Sequence, residues 1–260
     1  NRIGAGGLTA AEAVATAPPD GTVIGILGAA TLCAAPAVHG RTGFDPLREL
    51  RPVTQITDTA VVLAMESARA QARGWADLPA VLAWAKANPG RLTIGMQGVG
   101  SAMHLATLAF QRASGARLNA VPFPGTAPNR TALLGRHIMA STFGIGEAAP
   151  FVKEGQIRNL GVMATGRWDQ LPEVKTMREQ GIEAVAGSDR GIAAPKGTPD
   201  AVLDRLADAV RRSVEDPEFL AKAREQLLFL NYMPRTDYAA HLAQLNTEIG
   251  ELWRTDPWRR

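Results

Sequence analysis

The residues alone predict an α/β protein, and three observations lead there. Strand-like and helix-like stretches alternate along most of the chain. Several of the strands run into glycine-rich or small-residue loops that open helices. Beyond Pro199 the pattern turns to amphipathic helix. Strands that alternate with helices imply layered sheets with largely parallel pairing.

Each element has a local reason. Gly4, Gly6 and Gly7 precede a helix from Leu8 to Ala17, which Pro18-Pro19 stops because proline offers no amide hydrogen. Thr22 to Leu27 is expected as a buried strand, ending in the small-residue turn Gly28-Ala29-Ala30. Val53 to Met65 is extended, with a polar break at Asp58. Asp77 caps a helix that carries Val81, Leu82 and Trp84 inward and ends at Asn88-Pro89-Gly90. Leu92 to Gly95 is a strand, Ser101 to Ala113 a helix and Leu118 to Phe123 a strand. Pro128 to Leu134 is helical, His137 to Phe143 extended, and Glu147 to Lys153 helical around Pro150. Asn159 to Ala164 and Gly191 to Ala194 complete the strands. Thereafter Val202, Leu203, Leu206, Val210 and Val214 share one helical face. Tyr238, Leu242, Leu245, Ile249 and Leu252 share another, with Thr236 placed to cap that last helix.

Composition narrows the function classes. The chain has 260 residues, 46% hydrophobic and 20% charged, enough apolar material for a core. Its 28 basic and 25 acidic residues are interspersed, so the pI near 9.3 reflects a small imbalance and no nucleic-acid stripe. Only Trp258-Arg259-Arg260 is locally basic. A single cysteine, Cys33, in an apolar setting, excludes an internal disulfide and a cysteine-based metal site. No apolar run reaches the ~20 residues of a membrane-spanning helix, so direct membrane insertion is not expected.

The stretch "GMQGVGSAMHLATLAF" concentrates the chemistry. A strand, a glycine loop and a helix start leave main-chain amides at a positive dipole end, which suits an anion. Gly98 and Gly100 allow close approach of a ligand, and Ser101 adds a hydroxyl before Ala102. No lysine follows as in a phosphate loop, and the spacing differs from the dinucleotide fingerprint, so a carboxylate fits better. The same glycines would serve equally well as a tight turn with Ser101 as a plain cap. His104, one turn into the helix, is either a ligand group or a partly buried histidine. Phe123-Pro124-Gly125-Thr126 repeats the theme after the next strand, and two such loops can converge on one crevice. Ala29, Ala30 and Thr31 form a weaker example. Catalysis has little support: there is no nucleophile elbow, and His39, His104, His137 and His241 lack metal spacing. Glu147 and Asp189 are a remote acid pair at most. No cofactor and no metal site are expected.

The segments "NRIGAGGLTAAEAVATAPPDGTVIGIL", "DPLRELRPVTQI", "NPGRLTIGMQGVGSAMHLATLAF", "VPFPGTAPNRTALLGRHI", "EGQIRNLGVMATGR" and "GIAAPKGTP" together resemble the Bug family, in order and over essentially the whole chain. These are extracytoplasmic solute receptors of tripartite tricarboxylate transporters. The resemblance implies a two-domain, type 2 periplasmic-binding-protein clamshell, with a small carboxylate held in the interdomain cleft by backbone amides and waters. It also implies a periplasmic location, membrane transporter subunits as partners, and no reaction. Carried over by position, the carboxylate loop matches Gly98 to Ala102, a second loop Phe123-Pro124-Gly125, and an early turn Ala29 to Thr31. Three departures bear on the ligand: Pro124 replaces a basic residue, Met139 an aspartate, and Asp189-Arg190 an aromatic. Family members also carry a strand, a helix and a glycine-rich ligand loop ahead of the position of Asn1. The fold expected here is therefore an N-terminally truncated clamshell with strand edges left unpaired.

The expected organisation is residues 1–60 as the first part of one domain, 61–190 as the second domain, and 191–260 returning to the first. The expected ligand contacts are Ala29, Ala30, Thr31, Gly98, Gly100, Ser101, Ala102, His104, Phe123, Gly125, Thr126 and Asp189. The protein is expected to be a monomer. Two other readings carry weight: a ligand-sensing effector module of a regulator, and an enzyme using His104 and Asp189 as acid and base.

Overall fold

The computed structural model describes residues 2, 4–34, 43–168 and 171–255. His39 and Trp258-Arg259-Arg260 lie outside them. In chain order the elements are α1 (Leu8–Ala15), β1 (Gly25–Gly28), α2 (Ala29–Cys33), α3 (Pro46–Glu49), β2 (Leu50–Glu66), α4 (Ser67–Ala72) and α5 (Leu78–Ala87). Then follow β3 (Leu92–Gln97), α6 (Ala102–Ser114), β4 (Leu118–Phe123), α7 (Thr126–Leu134), β5 (Ala140–Gly144), α8 (Ile145–Lys153) and β6 (Ile157–Val162). The last are β7 (Gly187–Pro195), α9 (Asp200–Glu215), α10 (Pro217–Glu225), β8 (Leu230–Met233) and α11 (Arg235–Thr255). Two compact units result: Asn1–Asp58, Val99–Ser101 and Ser188–Arg260 form unit 1, and Thr59–Gly98 with Ala102–Gly187 form unit 2.

Unit 1 orders its strands β1-β7-β2-β8. β1 runs antiparallel to β7 with Ile26 opposite Ile192, and β2 antiparallel to β8 with Gln55 opposite Met233. Val53, Ile192, Ala194 and Leu203 form a buried cluster, flanked by Leu206 and Val210 of α9. Burying each large side chain stabilises by roughly 1.5–3 kcal/mol. The apolar face read for α11 does turn inward, with Tyr238, Leu242 and Ile249 all buried.

Five expectations need correction. Thr22 to Leu27 is not a buried strand. It starts at Gly25, and Val23, Ile24 and Ile26 are 38%, 39% and 67% exposed. Among the described residues β1 pairs only with β7, so its other edge has no strand partner. Asp58 does not interrupt β2, because its amide is satisfied by the Phe229 carbonyl at 3.1 Å and the strand runs through. The segment after Pro199 is not purely helical, since Leu230–Met233 becomes a strand by pairing with β2. Thr236 lies inside α11, not before it, and its hydroxyl donates to Asp237. Pairing is mixed, with antiparallel ladders in both units.

Unit 2 centres on the parallel trio β5-β3-β4, where Ile94 lies opposite Ala120 and Ala140. β2 extends it antiparallel, between β5 and β6. Val61 to Met65 are completely buried, as expected of a strand covered on both faces. α5 begins as its sequence foretells: the Asp77 carboxylate accepts from Ala80 N at 3.0 Å, with Pro79 in the first turn.

Candidate functional site

Parallel strands place their carboxyl ends side by side, and here each end passes directly into a helix. β3 ends at Gln97 before α6, β4 at Phe123 before α7, and β5 at Gly144 before α8. Three positive helix ends therefore share one edge of the unit 2 sheet. α6 is held in place by Thr107, whose hydroxyl donates to Met103 O at 2.8 Å, and by Thr142 of β5, 3.2 Å from the same carbonyl.

The loops are tied to one another. Gly98 N donates to Phe123 O at 3.0 Å, so that amide is engaged in joining the first loop to the second. Gln97 Nε2 donates to Thr126 Oγ1. Thr126 Oγ1 donates to Glu147 Oε1 at 2.9 Å, and Glu147 Oε2 accepts from Gly144 N at 3.0 Å. This chain of bonds crosses all three strand ends.

The termini differ electrically. At α8, the Glu147 carboxylate already accepts from Gly144 N, the amide just before the helix, so that dipole end carries a resident anion. At α7, Gly125 stands before the helix at φ 133, ψ 177 with no side-chain cap, and Pro128 contributes no amide hydrogen. Thr126 N and Ala127 N are thus the donors of an uncapped helix end. Gly100 takes φ 82, in the left-handed region that favours glycine. Gly98, Ser101 and Ala102 are half-buried, and Gly100 is buried.

Ala29, Ala30, Thr31 and Asp189 belong to unit 1. Ala29, Ala30 and Thr31 are buried in α2 of unit 1, and the Thr31 hydroxyl donates to Gly6 O at 2.8 Å. Asp189, on β7, has its Oδ2 2.6 Å from His241 Nε2. That hydrogen bond raises the His241 pKa. Near it, burial and then Asp189 raise the Asp58 pKa. Cys33 is an inert core thiol: burial pushes its pKa up to about 12, and Sγ donates to Leu242 O at 3.5 Å. Among the described residues no group of three or more His, Cys, Asp or Glu could hold a metal. The Gly144–Glu147 corner was missed as a site. Glycine followed by glutamate three residues on, in "GIGE", is the signal that could have found it.

His104 is 4% exposed, in the first turn of α6, and burial pushes its pKa down to about 4. It is neutral at pH 7 and supplies no cation there. The folded state thus holds this proton less tightly than the unfolded chain, where histidine titrates near ~6.5. Stability is therefore fully present above the unfolded value and falls as the pH drops from there toward 4, by about 3 kcal/mol for this group. Urea unfolding at pH 7.5 and 4.5 should show His104→Gln losing much less stability on acidification than the parent. Equal losses would refute the assignment.

The family model described as "Tripartite tricarboxylate transporter family receptor" matches residues 1–249. The chain belongs to that family. The receptor is 30% identical to the protein BugT of Bordetella pertussis over 217 residues, covering 83% of this chain and 65% of BugT. It is 29% identical to a UPF0065 protein from the gbd 5′ region of Cupriavidus necator over 259 residues, covering 96% and 76%. Among solved structures, the periplasmic binding protein BugD superimposes with a TM-score of 0.86 at 25% identity, covering 98% of this receptor and 85% of BugD. An R. palustris protein with adipate gives 0.90 at 25% identity, covering 98% and 84%. MatC of Rhodopseudomonas palustris, with bound malate, gives 0.82 at 27% identity, covering 96% and 84%. The receptor's α/β fold is that of the periplasmic binding proteins.

Proposed function

We propose that this receptor captures a small dicarboxylate in the periplasm, without turning it over, and delivers it as a monomer to the membrane subunits of a tripartite tricarboxylate transporter. The observation that carries the reading is the row of helix starts at one sheet edge, with α7 lacking a side-chain cap. One carboxylate of the ligand takes the α7 amides, with the Gly98–Ala102 loop alongside. Relatives that hold malate and adipate support that class of cargo. We take 1–60 with 191–260 as one domain and 61–190 as the other, a division that the clustering of contacts supports.

The energetics need no lysine or arginine. A charge-assisted hydrogen bond contributes ~1.5–3 kcal/mol net and a helix end ~0.3–1. Three or four such donors reach the ~8 kcal/mol of micromolar binding. Calorimetric titration with malate, succinate, adipate and citrate should give saturable binding of at least one of them, with the acid recovered unchanged. A panel with no binder, or one that is consumed, would overturn the proposal.

A further inference from the structure

Glu147 lies beside the uncapped end of α7. Its Oε1 accepts from the hydroxyl of Thr126, the first residue of α7, at 2.9 Å, and its Oε2 accepts from Gly144 N, just before α8, at 3.0 Å. A Cβ added to Gly144 would lie 3.3 Å from Oε2, so the carboxylate rests against that glycine. The side chain is half-buried, and its two partners are a main-chain amide and a hydroxyl. Among the described residues no lysine or arginine is ion-paired to it. A fixed negative charge therefore stands one hydrogen bond from the residue whose amide opens α7.

This placement bears on any anion seated at α7. The Thr126 hydroxyl hydrogen is committed to Glu147, so a ligand carboxylate takes main-chain amides there. The dipole end of α8 is already answered by Glu147 and offers a further carboxylate no seat. A second negative group turned toward α8 meets like charge in a partly desolvated place, where repulsion is stronger than in bulk water. An extended dicarboxylate has one other carboxylate and can point it away. A branched tricarboxylate has two more on diverging arms, and turning one away leaves the other nearer Glu147.

We propose that Glu147 is a specificity-determining residue of this site, one that admits dicarboxylates and rejects tricarboxylates by charge. The inference rests on the reading that a carboxylate occupies the α7 end. Discrimination by a built-in repulsive group needs no additional contact to the preferred ligand.

Calorimetry on the full chain at pH 8, above the range in which carboxylic acids titrate, compares glutarate with tricarballylate. The second is the same carbon chain with one more carboxylate on its middle carbon. Malate and adipate join the first set and citrate the second. Each dicarboxylate that binds should do so at least tenfold more tightly than either tricarboxylate. Glu147→Gln keeps an oxygen for Gly144 N and removes the charge, and it should raise tricarboxylate affinity at least tenfold relative to dicarboxylate affinity. Should that variant not fold, salt decides on the parent: screening should narrow the preference several-fold, and a preference indifferent to salt would sink the proposal. A tricarboxylate that binds the parent as tightly as the dicarboxylates overturns it, as does a preference that Glu147→Gln leaves unchanged. Those results leave dicarboxylate capture at α7 standing. A panel with no binder at all removes that reading, and this one with it.

Discussion

Gly191→Ala should destabilise the protein by about 1–3 kcal/mol, the usual cost of overpacking a core. That is a fall of roughly 2–4 °C in melting temperature per kcal/mol for a domain of 150–250 residues. A Cβ added to Gly191 would lie 2.5 Å from the Thr54 carbonyl oxygen and 2.6 Å from the Tyr238 ring. The first is main chain in the neighbouring strand β2, and the second is a fully buried aromatic on α11. Neither can yield cheaply, so β7 would have to move away from both. Gly191→Val should be worse, and we expect it not to accumulate as folded protein. Gly250→Ala is the control with opposite sign. It lies within α11 with open space around it, so alanine's helix preference should stabilise by up to about 1 kcal/mol. Urea unfolding of the pair checks both signs, and a Gly191→Ala variant as stable as the parent would refute the packing described for unit 1.

The second large effect is expected on binding. Gly125 holds φ 133, ψ 177, a conformation essentially restricted to glycine, which costs other residues of order 1–3 kcal/mol. Nothing lies within 4 Å of the position where its Cβ would be, so Gly125→Ala introduces no clash and acts through the backbone alone. Relief of that strain turns the first amides of α7 away from their shared direction. Malate or adipate affinity should fall at least tenfold, which corresponds to about 1.4 kcal/mol. Gly166→Ala, also in open space but without a positive φ, should bind as the parent does. If calorimetry finds Gly125→Ala unimpaired, the α7 terminus is not where the carboxylate sits.

What was legible in the residues was what depends on neighbours along the chain. Leu118–Phe123 is a strand over just the range its pattern indicates, and Asp77 caps its helix as its side chain allows. The faces of α9 and α11 follow from spacing alone. Of the candidate site, Gly98, Gly100, Gly125 and Thr126 stand at the strand-to-helix turns where the glycine pattern puts them. Less legible was anything requiring a partner distant in sequence. Glu147 looked like a remote acid because its links to Thr126 and Gly144 exist only once β5 lies beside β3. The pairing of Asp189 with His241 was equally hidden, because the two are 52 residues apart in the chain.

The amino-acid order by itself determined the alternation of elements, their caps and the placing of glycine where strands turn into helices. These are local matters of backbone sterics, hydrogen-bond supply and side-chain period. Only the folded chain decided that Leu230–Met233 would be a strand and that His104 would be buried and neutral. Each of these depends on what long-range packing brings alongside and on how much water it expels, and no stretch of residues encodes either on its own.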